Sequence, residues 1–371
     1  MQQSPYIDRL KQAIADARDP SIRAMLRAEL AGSVARLGEF STAEAEIADL
    51  RSEFGDGRSG RVSIMIMCAE AQLIYYKDLG EQARDRMMRA QLLSVAGRDA
   101  ALTALTSAWL AHIAFNLHRH EEMARSAKTC LDTVSKTDHE AAARLALTLG
   151  DGFYAADQIE VGNRWYAKVH EHASKLGDHA TIAALTYNRA AMGTFMARLH
   201  AAVAQVEATR AARLSSEVRT AVNYQAIAQL TSLPALLDYA LASSHILAER
   251  YADALAPLEK MVETMPSTSP LERSLVVRCD LALCLAMTGR RDEARACIAA
   301  APIEALAKCT PDDQVVAAAA LVAAARACGL ASEAAQAEAS LASAVKEHEE
   351  GIASLRRTLA PFNTEAAFSR I

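Results

Sequence analysis

Few side-chain groupings in this 371-residue chain could do chemistry, and each fails on its spacing. Gly55-Asp56-Gly57-Arg58-Ser59-Gly60 has the spacing of a dinucleotide-phosphate loop. Such a loop works only between a strand and a helix, where the glycine backbone meets the pyrophosphate at a helix N-terminus. A helical pattern precedes it here, so it reads as a loop between structural units. Histidines gather at His118 and His120, and again at His170, His172 and His179. Ligands two apart on a helix point to different faces, which makes a poor chelate. With no HExxH or HxE…CxxC pattern beside them, they read as solvent-exposed side chains and no metal is expected. The cysteines, at 68, 130, 279, 284, 297, 309 and 328, are odd in number and include no CxxC pair. They read as buried, reduced thiols of a cytoplasmic protein. Cys279 and Cys284 share a helix but not a face and are expected in the core. No serine elbow, Walker loop or acid pair appears. No catalytic constellation is found, no cofactor is implied, and the chain is expected not to be an enzyme.

The elements that carry these residues are helical. Only 15 glycines and 9 prolines occur among 371 residues, below the usual ~7% and ~5%. Alanine, leucine, glutamate and arginine abound, and all favour helix. Aromatic residues make up 5% of the chain, low for a stacked sheet core. The net charge of −5 gives no drive toward nucleic acid or an anionic membrane. The first residues carry charges every few positions and resemble no secretory leader. The longest apolar stretch, Val315 to Ala325, is too short to span a bilayer.

A rhythm runs through the chain. A small residue, usually after leucine, is followed twelve positions later by another. The first members are Ala31, Ala71, Ala111, Gly150, Ala190, Ala242 and Ala282, with Val322 as the exception. The second members are Ala43, Ala83, Met123, Gly162, Ala202, Ala254, Ala294 and Ala334. Successive first members lie 40, 40, 39, 40, 52, 40 and 40 apart. Small residues at a helix crossing let two antiparallel helices approach closely. The turns between them carry Gly38, Gly289 and Gly329, suited to a left-handed helix end. Acidic or hydroxyl residues then open the second helix, as in Ser41-Thr42-Ala43-Glu44 and Asp292-Glu293-Ala294.

The segments LGEFSTAEAEI, AERYADALAPLEKMVETMP and TGRRDEARACI resemble the turn and second helix of tetratricopeptide repeats, and Pro266 falls where that family often ends a repeat. The period of about 40 exceeds the family's usual 34. It resembles the long-repeat group of bacterial signalling regulators, such as the maltose-activator and peptide-sensing types. The family's large first-helix tryptophan has a counterpart only in Trp109. HEAT repeats share the length, but the small-x11-small spacing favours the tetratricopeptide reading. The resemblance implies an all-α, right-handed α-solenoid of about eight helical hairpins with a C-terminal capping helix. The expected divisions are repeats 1–5 over residues 1–210, an insertion or hinge over 211–237, repeats 6–8 over 238–345, and a cap or connector over 346–371. The twelve extra residues of the fifth interval are expected within 211–237, as a hinge or as a plain loop insertion.

In this family the first helix of each unit lines the concave groove. Carried over, that places Tyr75, Phe115 and Tyr154 in one row and Gln72, His112 and Asp151 in a second. Tyr187, Asn188, Tyr239 and Ser243 extend the face into repeats 5 and 6. An aromatic row beside a polar row suits an extended peptide; equally, the aromatics could pack between the long helices. The basic set of carboxylate-clamp domains is not evident. The expected role is recognition of a protein or peptide by a sensory or regulatory module in a bacterial cytoplasm. The alternatives are a passive scaffold or homodimer, and an enzyme or metal site in the groove built on His112 and Asp151.

Overall fold

The computed structural model describes residues 4–55, 60–204, 207–227, 234–264 and 271–371. Every regular element among them is helical. Eight antiparallel pairs follow one another. They are α2 (Pro20–Arg36) with α3 (Phe40–Phe54), α4 (Gly60–Asp78) with α5 (Glu81–Ala96), α6 (Ala100–Asn116) with α7 (His120–Thr133), and α8 (His139–Ala155) with α9 (Ile159–Leu176). Then come α10 (His179–Val203) with α11 (Ala208–Ile227), α12 (Pro234–Leu247) with α13 (Tyr251–Thr264), α14 (Leu271–Met287) with α15 (Arg291–Ala300), and α17 (Pro311–Cys328) with α18 (Ala331–Leu359). Helix α1 (Pro5–Asp16) precedes them, the short α16 (Ile303–Leu306) precedes α17, and a 3-10 turn (Ala360–Phe362) and α19 (Glu365–Arg370) follow. The all-α class expected from the repeat rhythm is what the chain adopts.

Local chemistry sets the helix ends. The Asp19 carboxylate accepts from the amides of Ser21 (2.7 Å) and Ile22 (3.2 Å), and Pro20 starts α2 where a missing N–H costs nothing. Asp99 caps α6 through the Leu102 amide at 3.1 Å. The turn inside seven of the eight hairpins passes through a left-handed residue. It is glycine at 38, 289 and 329, but Leu79, His118, Asp157 and Glu249 take that role in four others.

The paired small residues lie where the helices cross. Ala31, Ala43, Ala71, Ala83, Ala111, Met123, Ala242, Ala254, Ala282 and Ala294 are all fully buried. In the fourth pair the reason for glycine is visible. A Cβ on Gly150 would stand 2.4 Å from the Tyr166 ring, and one on Gly162 would stand 2.5 Å from the Tyr154 ring. Each helix thus gives up a side chain to seat the other's tyrosine. The two rings sit 5.0 Å apart.

Two expectations need correction. The fifth pair does not turn between Ala190 and Ala202, because α10 runs unbroken for 25 residues and the turn comes after Val203. Nothing in that stretch stops a helix. Its one glycine, Gly193, lies mid-helix, where a Cβ would stand 3.0 Å from Leu214 of α11. Much of the extra length of this repeat lies in α10 and α11, of 25 and 20 residues; residues 228–233 of the expected 211–237 insertion lie outside the described residues. Likewise, the second helix of the eighth repeat and the expected capping helix are one 29-residue helix, α18, ending at the 3-10 turn that contains Pro361. Residues 56–59 of the Gly55–Gly60 segment lie outside the described residues; Gly55 ends α3 and Gly60 opens α4.

The chain divides into two compact units. Unit 1 comprises 1–186, 224–233 and 355–371; unit 2 comprises 187–223 and 234–354. These bounds differ from the expected break at 210, and the C-terminal segment joins unit 1. There it covers the fourth hairpin. Phe368 stacks on Trp165 with centroids 4.5 Å apart, Leu359 packs over Gly152, and the Arg356 Nε donates to the Ala156 carbonyl at 2.8 Å.

Candidate functional site

The first helices of unit 1 do not stand open along a groove. They close on one another. Arg36 on α2 pairs with Asp178, 142 residues away, at 2.9 Å, and also donates to Thr181 at 3.2 Å. Both partners of the ion pair are buried. Burial alone would raise the Asp178 pKa, but Arg36 and the bonds from Thr181 overcome it and hold the carboxyl below its ordinary range. A solenoid whose repeats touched only their neighbours would make no such contact.

This closure decides the fate of the residues expected to bind ligand. Gln72, Tyr75, His112, Asp151 and Tyr154 are buried, each 6% exposed or less. The Tyr75 hydroxyl meets the His112 Nε2 at 3.2 Å, and the His112 Nδ1 lies 3.4 Å from the Thr148 Oγ1. Burial, and to a lesser degree Arg144, push the His112 pKa well below its ordinary value, so the ring is neutral. The Tyr166 hydroxyl donates to the Asp151 Oδ1 at 2.7 Å, and that of Tyr154 to the Asn163 Oδ1 at 2.8 Å. His112 and Asp151 therefore face different partners. Phe115 is half-buried beside Gly152 and His120. The two rows are packing and hydrogen-bonding residues, between hairpins at Tyr75 and His112 and within the fourth hairpin at Asp151 and Tyr154, the second of the two readings their spacing allowed.

The histidines also need correction. His118, His170 and His179 are exposed, but His172 is buried, with its Nδ1 2.9 Å from that of His139. Burial lowers its pKa to about 4. Among the cysteines, six are buried and Cys297 is half-buried. Burial pushes the Cys284 thiol up to about 12, so at neutral pH it is a thiol and packs as a small apolar group.

Unit 2 keeps an open cleft of about 670 Å³. Helix α10 contributes Arg198, Ala201 and Ala202; α12 and the turn after it contribute Ile246, Leu247 and Glu249. Tyr251 opens α13, Leu283 lies on α14, and Val316, Ala319 and Ala320 lie on α17. The lining side chains are mostly short and include alanines of both α10 and α17, but the surface that faces the cleft is more polar than apolar. Arg198 is 7% exposed and forms a two-point ion pair with the fully buried Asp280 of α14. The Nη1–Oδ2 arm measures 2.8 Å. Arg198 also donates to Ser243 Oγ at 3.1 Å, and the Tyr239 hydroxyl donates to Asp280 Oδ2 at 3.1 Å. Burial beside Asp280 raises the Tyr239 pKa, so the hydroxyl keeps its proton. Of the ten expected site residues, Tyr239 and Ser243 thus brace the arginine at the cleft. Tyr187 lies elsewhere in the unit, half-buried, donating to the Leu236 carbonyl at 3.2 Å, and Asn188 is half-buried.

The cleft walls escaped sequence reasoning because alanine carries no chemical signal. Arg198 and Asp280 could have been found. Arg198 is the one charged residue of the apolar run FMARLHA, and Asp280 heads the uncharged run LALCLAM, which implies a buried partner for each.

No protein-family model matches the chain, and no curated protein matches it. Its fold is that of a solved structure of a Rap protein complexed with competence and sporulation factor. The likeness has a TM-score of 0.58 at 12% identity and covers 95% of this chain and 96% of that one. Helical repeats of this kind are thus the architecture of both. No helix among the described residues is long and apolar enough to cross a membrane.

Proposed function

We propose that this protein is a non-enzymatic recognition module, and that the cleft of unit 2 takes up a short peptide or an extended segment of a protein partner. The observation that carries this is the cleft itself, open between first helices α10, α12, α14 and α17 and floored by a braced arginine. Fixed polar groups converging on a cleft orient a ligand, and Arg198, Glu249 and Tyr251 line this one. The similar fold of a Rap protein, solved with competence and sporulation factor, supports the same reading. On that basis the protein acts in the cytoplasm as a sensory or regulatory component of a bacterial signalling pathway. Its output protein is bound or fused.

The test is a random short-peptide library panned against the intact protein and against Ala319→Trp, which adds a ring to the half-buried cleft wall on α17. Peptides that bind the wild type and lose at least tenfold in affinity on Ala319→Trp, with its melt unchanged, support the reading. A library that yields only binders indifferent to Ala319→Trp overturns it.

A second reading, self-association, rests on α5. Leu92, Leu93 and Val95 are 62%, 43% and 50% exposed on one short stretch of that helix. Exposed apolar clusters mark interaction surfaces. Sedimentation of Leu92→Glu beside the wild type separates the two readings. A dimer lost on substitution supports self-association, and a wild-type monomer at all concentrations removes it.

A further inference from the structure

Helix α1 is attached to unit 1 by a polar contact with too few protons. Tyr6, Ile7 and Leu10 are its buried residues. The Tyr6 hydroxyl lies 2.6 Å from Glu29 Oε1 on α2 and 3.5 Å from Glu140 Oε2 on α8. A hydroxyl carries one hydrogen, so it can donate to only one of two ionised carboxylates. The other must carry its own proton or stand beside a like charge, with the Trp109 indole as the further donor in reach of Glu140. Glu29 and Glu140 are each half-buried, and no loop separates them from the hydroxyl.

The charges that face this cluster come from every element packed on it. Helix α2 supplies Arg36, whose guanidinium carbon is 5.9 Å from the Tyr6 ring centroid. Helix α8 supplies Arg144, seated 3.9 Å over the Trp109 ring of α6. Asp178, before α10, takes the Arg36 ion pair. Tyr76 of α4 faces Arg36, and Cys68 of α4 and His112 of α6, both held neutral by burial, lie near these groups. Two arginines thus face three carboxyls, and the set is neutral only when one carboxyl holds a proton.

We propose that α1 is clasped to unit 1 by one proton held between Glu29 and Glu140 beside the Tyr6 hydroxyl, and that the clasp loosens when that proton leaves. Burial, reinforced by Glu140, raises the Glu29 pKa to about 7, against the pull of Tyr6 and Arg36. Burial and Asp178 raise that of Glu140, against Arg36 and Arg144. The docked state therefore binds more protons than the undocked one between the ordinary carboxylate range and about pH 7. Its advantage is complete below that range, is lost as pH rises toward 7, and levels off above.

Hydrogen–deuterium exchange on the intact protein tests this, with intrinsic exchange chemistry divided out. Protection of residues 7–16 should fall by about tenfold from pH 5 to pH 8, while α14 and α15 hold theirs. In Glu29→Gln, whose amide stays neutral and can donate to Glu140, the fall should vanish and α1 should keep its acid-side protection at pH 8. Glu140→Gln reports the same if Glu29→Gln does not fold. A flat wild-type profile, or a wild-type slope retained in the glutamine variants, overturns the proposal.

Discussion

Units 1 and 2 use the same hairpin and end in opposite conditions. In unit 1 the first helices are joined by long side chains that cross between repeats: Arg36 to Asp178, Tyr75 to His112, and Tyr6 to Glu29 and Glu140. In unit 2 the corresponding helices are joined only at one level, by Arg198, Tyr239 and Asp280, and beside that network alanines of α10 and α17 line a cleft. Both keep the small-residue crossings at their hairpins. The repeat rhythm therefore governs how helices pair, while the side chains on the inner face decide whether the interior fills. A groove in this architecture is a place where the sequence withholds volume.

Each unit is anchored by one buried arginine–aspartate pair, and breaking those pairs is the severest test of the contrast. Removing one partner of a buried pair leaves an uncompensated charge and costs about 3–5 kcal/mol. Asp280→Ala should reach that range, because Arg198 then keeps only hydroxyl partners, Ser243 and Tyr239. Asp178→Ala should cost less, because Glu140 still draws on Arg36. Chemical denaturation of both variants checks the order. Equal losses would mean that Glu140 gives Arg36 no reserve, and an unchanged Asp280→Ala would mean that the floor of the cleft is not held by charge.

Volume changes should separate filled from open. Tyr154 is 5% exposed and seated over Gly162. Tyr154→Ala should therefore destabilise by about 3 kcal/mol, as core aromatic deletions do. A near-intact melt would return Tyr154 to an open groove. Ala254→Leu and Ala294→Leu add bulk at fully buried crossings and should cost about 1–3 kcal/mol each. Ala319→Leu adds the same atoms to the half-buried cleft wall. It should stay within about 0.5 kcal/mol of wild type. If Ala319→Leu and Ala294→Leu melt alike, the cleft is not a real space in solution.

These contrasts show why the fold was legible and the site was not. Twelve-residue spacing records contacts inside a hairpin, and Ala31, Ala71, Ala242 and Ala282 with their partners are buried as that spacing requires. The same rhythm misplaced the fifth turn, since Ala202 satisfied the spacing while no helix-stopping residue stood between Ala190 and Val203. Contacts across repeats leave no periodic trace. Nothing near Arg36 announces Asp178, and without that closure Tyr75, His112 and Asp151 read as groove residues. His172 was misread for another reason: its neighbour His139 stands at the opposite chain end of the same hairpin, 33 positions away.

The smallest effect concerns the turns, where the two units should agree rather than differ. His118 in unit 1 and Glu249 in unit 2 hold left-handed backbone, with φ of 56° in both, where other hairpins place glycine. A side chain in that conformation costs about 1–2 kcal/mol. Glycine removes the cost but gives back roughly 0.5–1 kcal/mol in unfolded-chain entropy. His118→Gly and Glu249→Gly should each stabilise by about 0.5–1 kcal/mol, read as a small rise in denaturation midpoint with an unchanged slope. Both side chains are exposed, so little packing is lost with them. A loss of stability at Glu249 alone would show that its carboxylate, at the rim of the cleft, holds that turn by a contact His118 lacks.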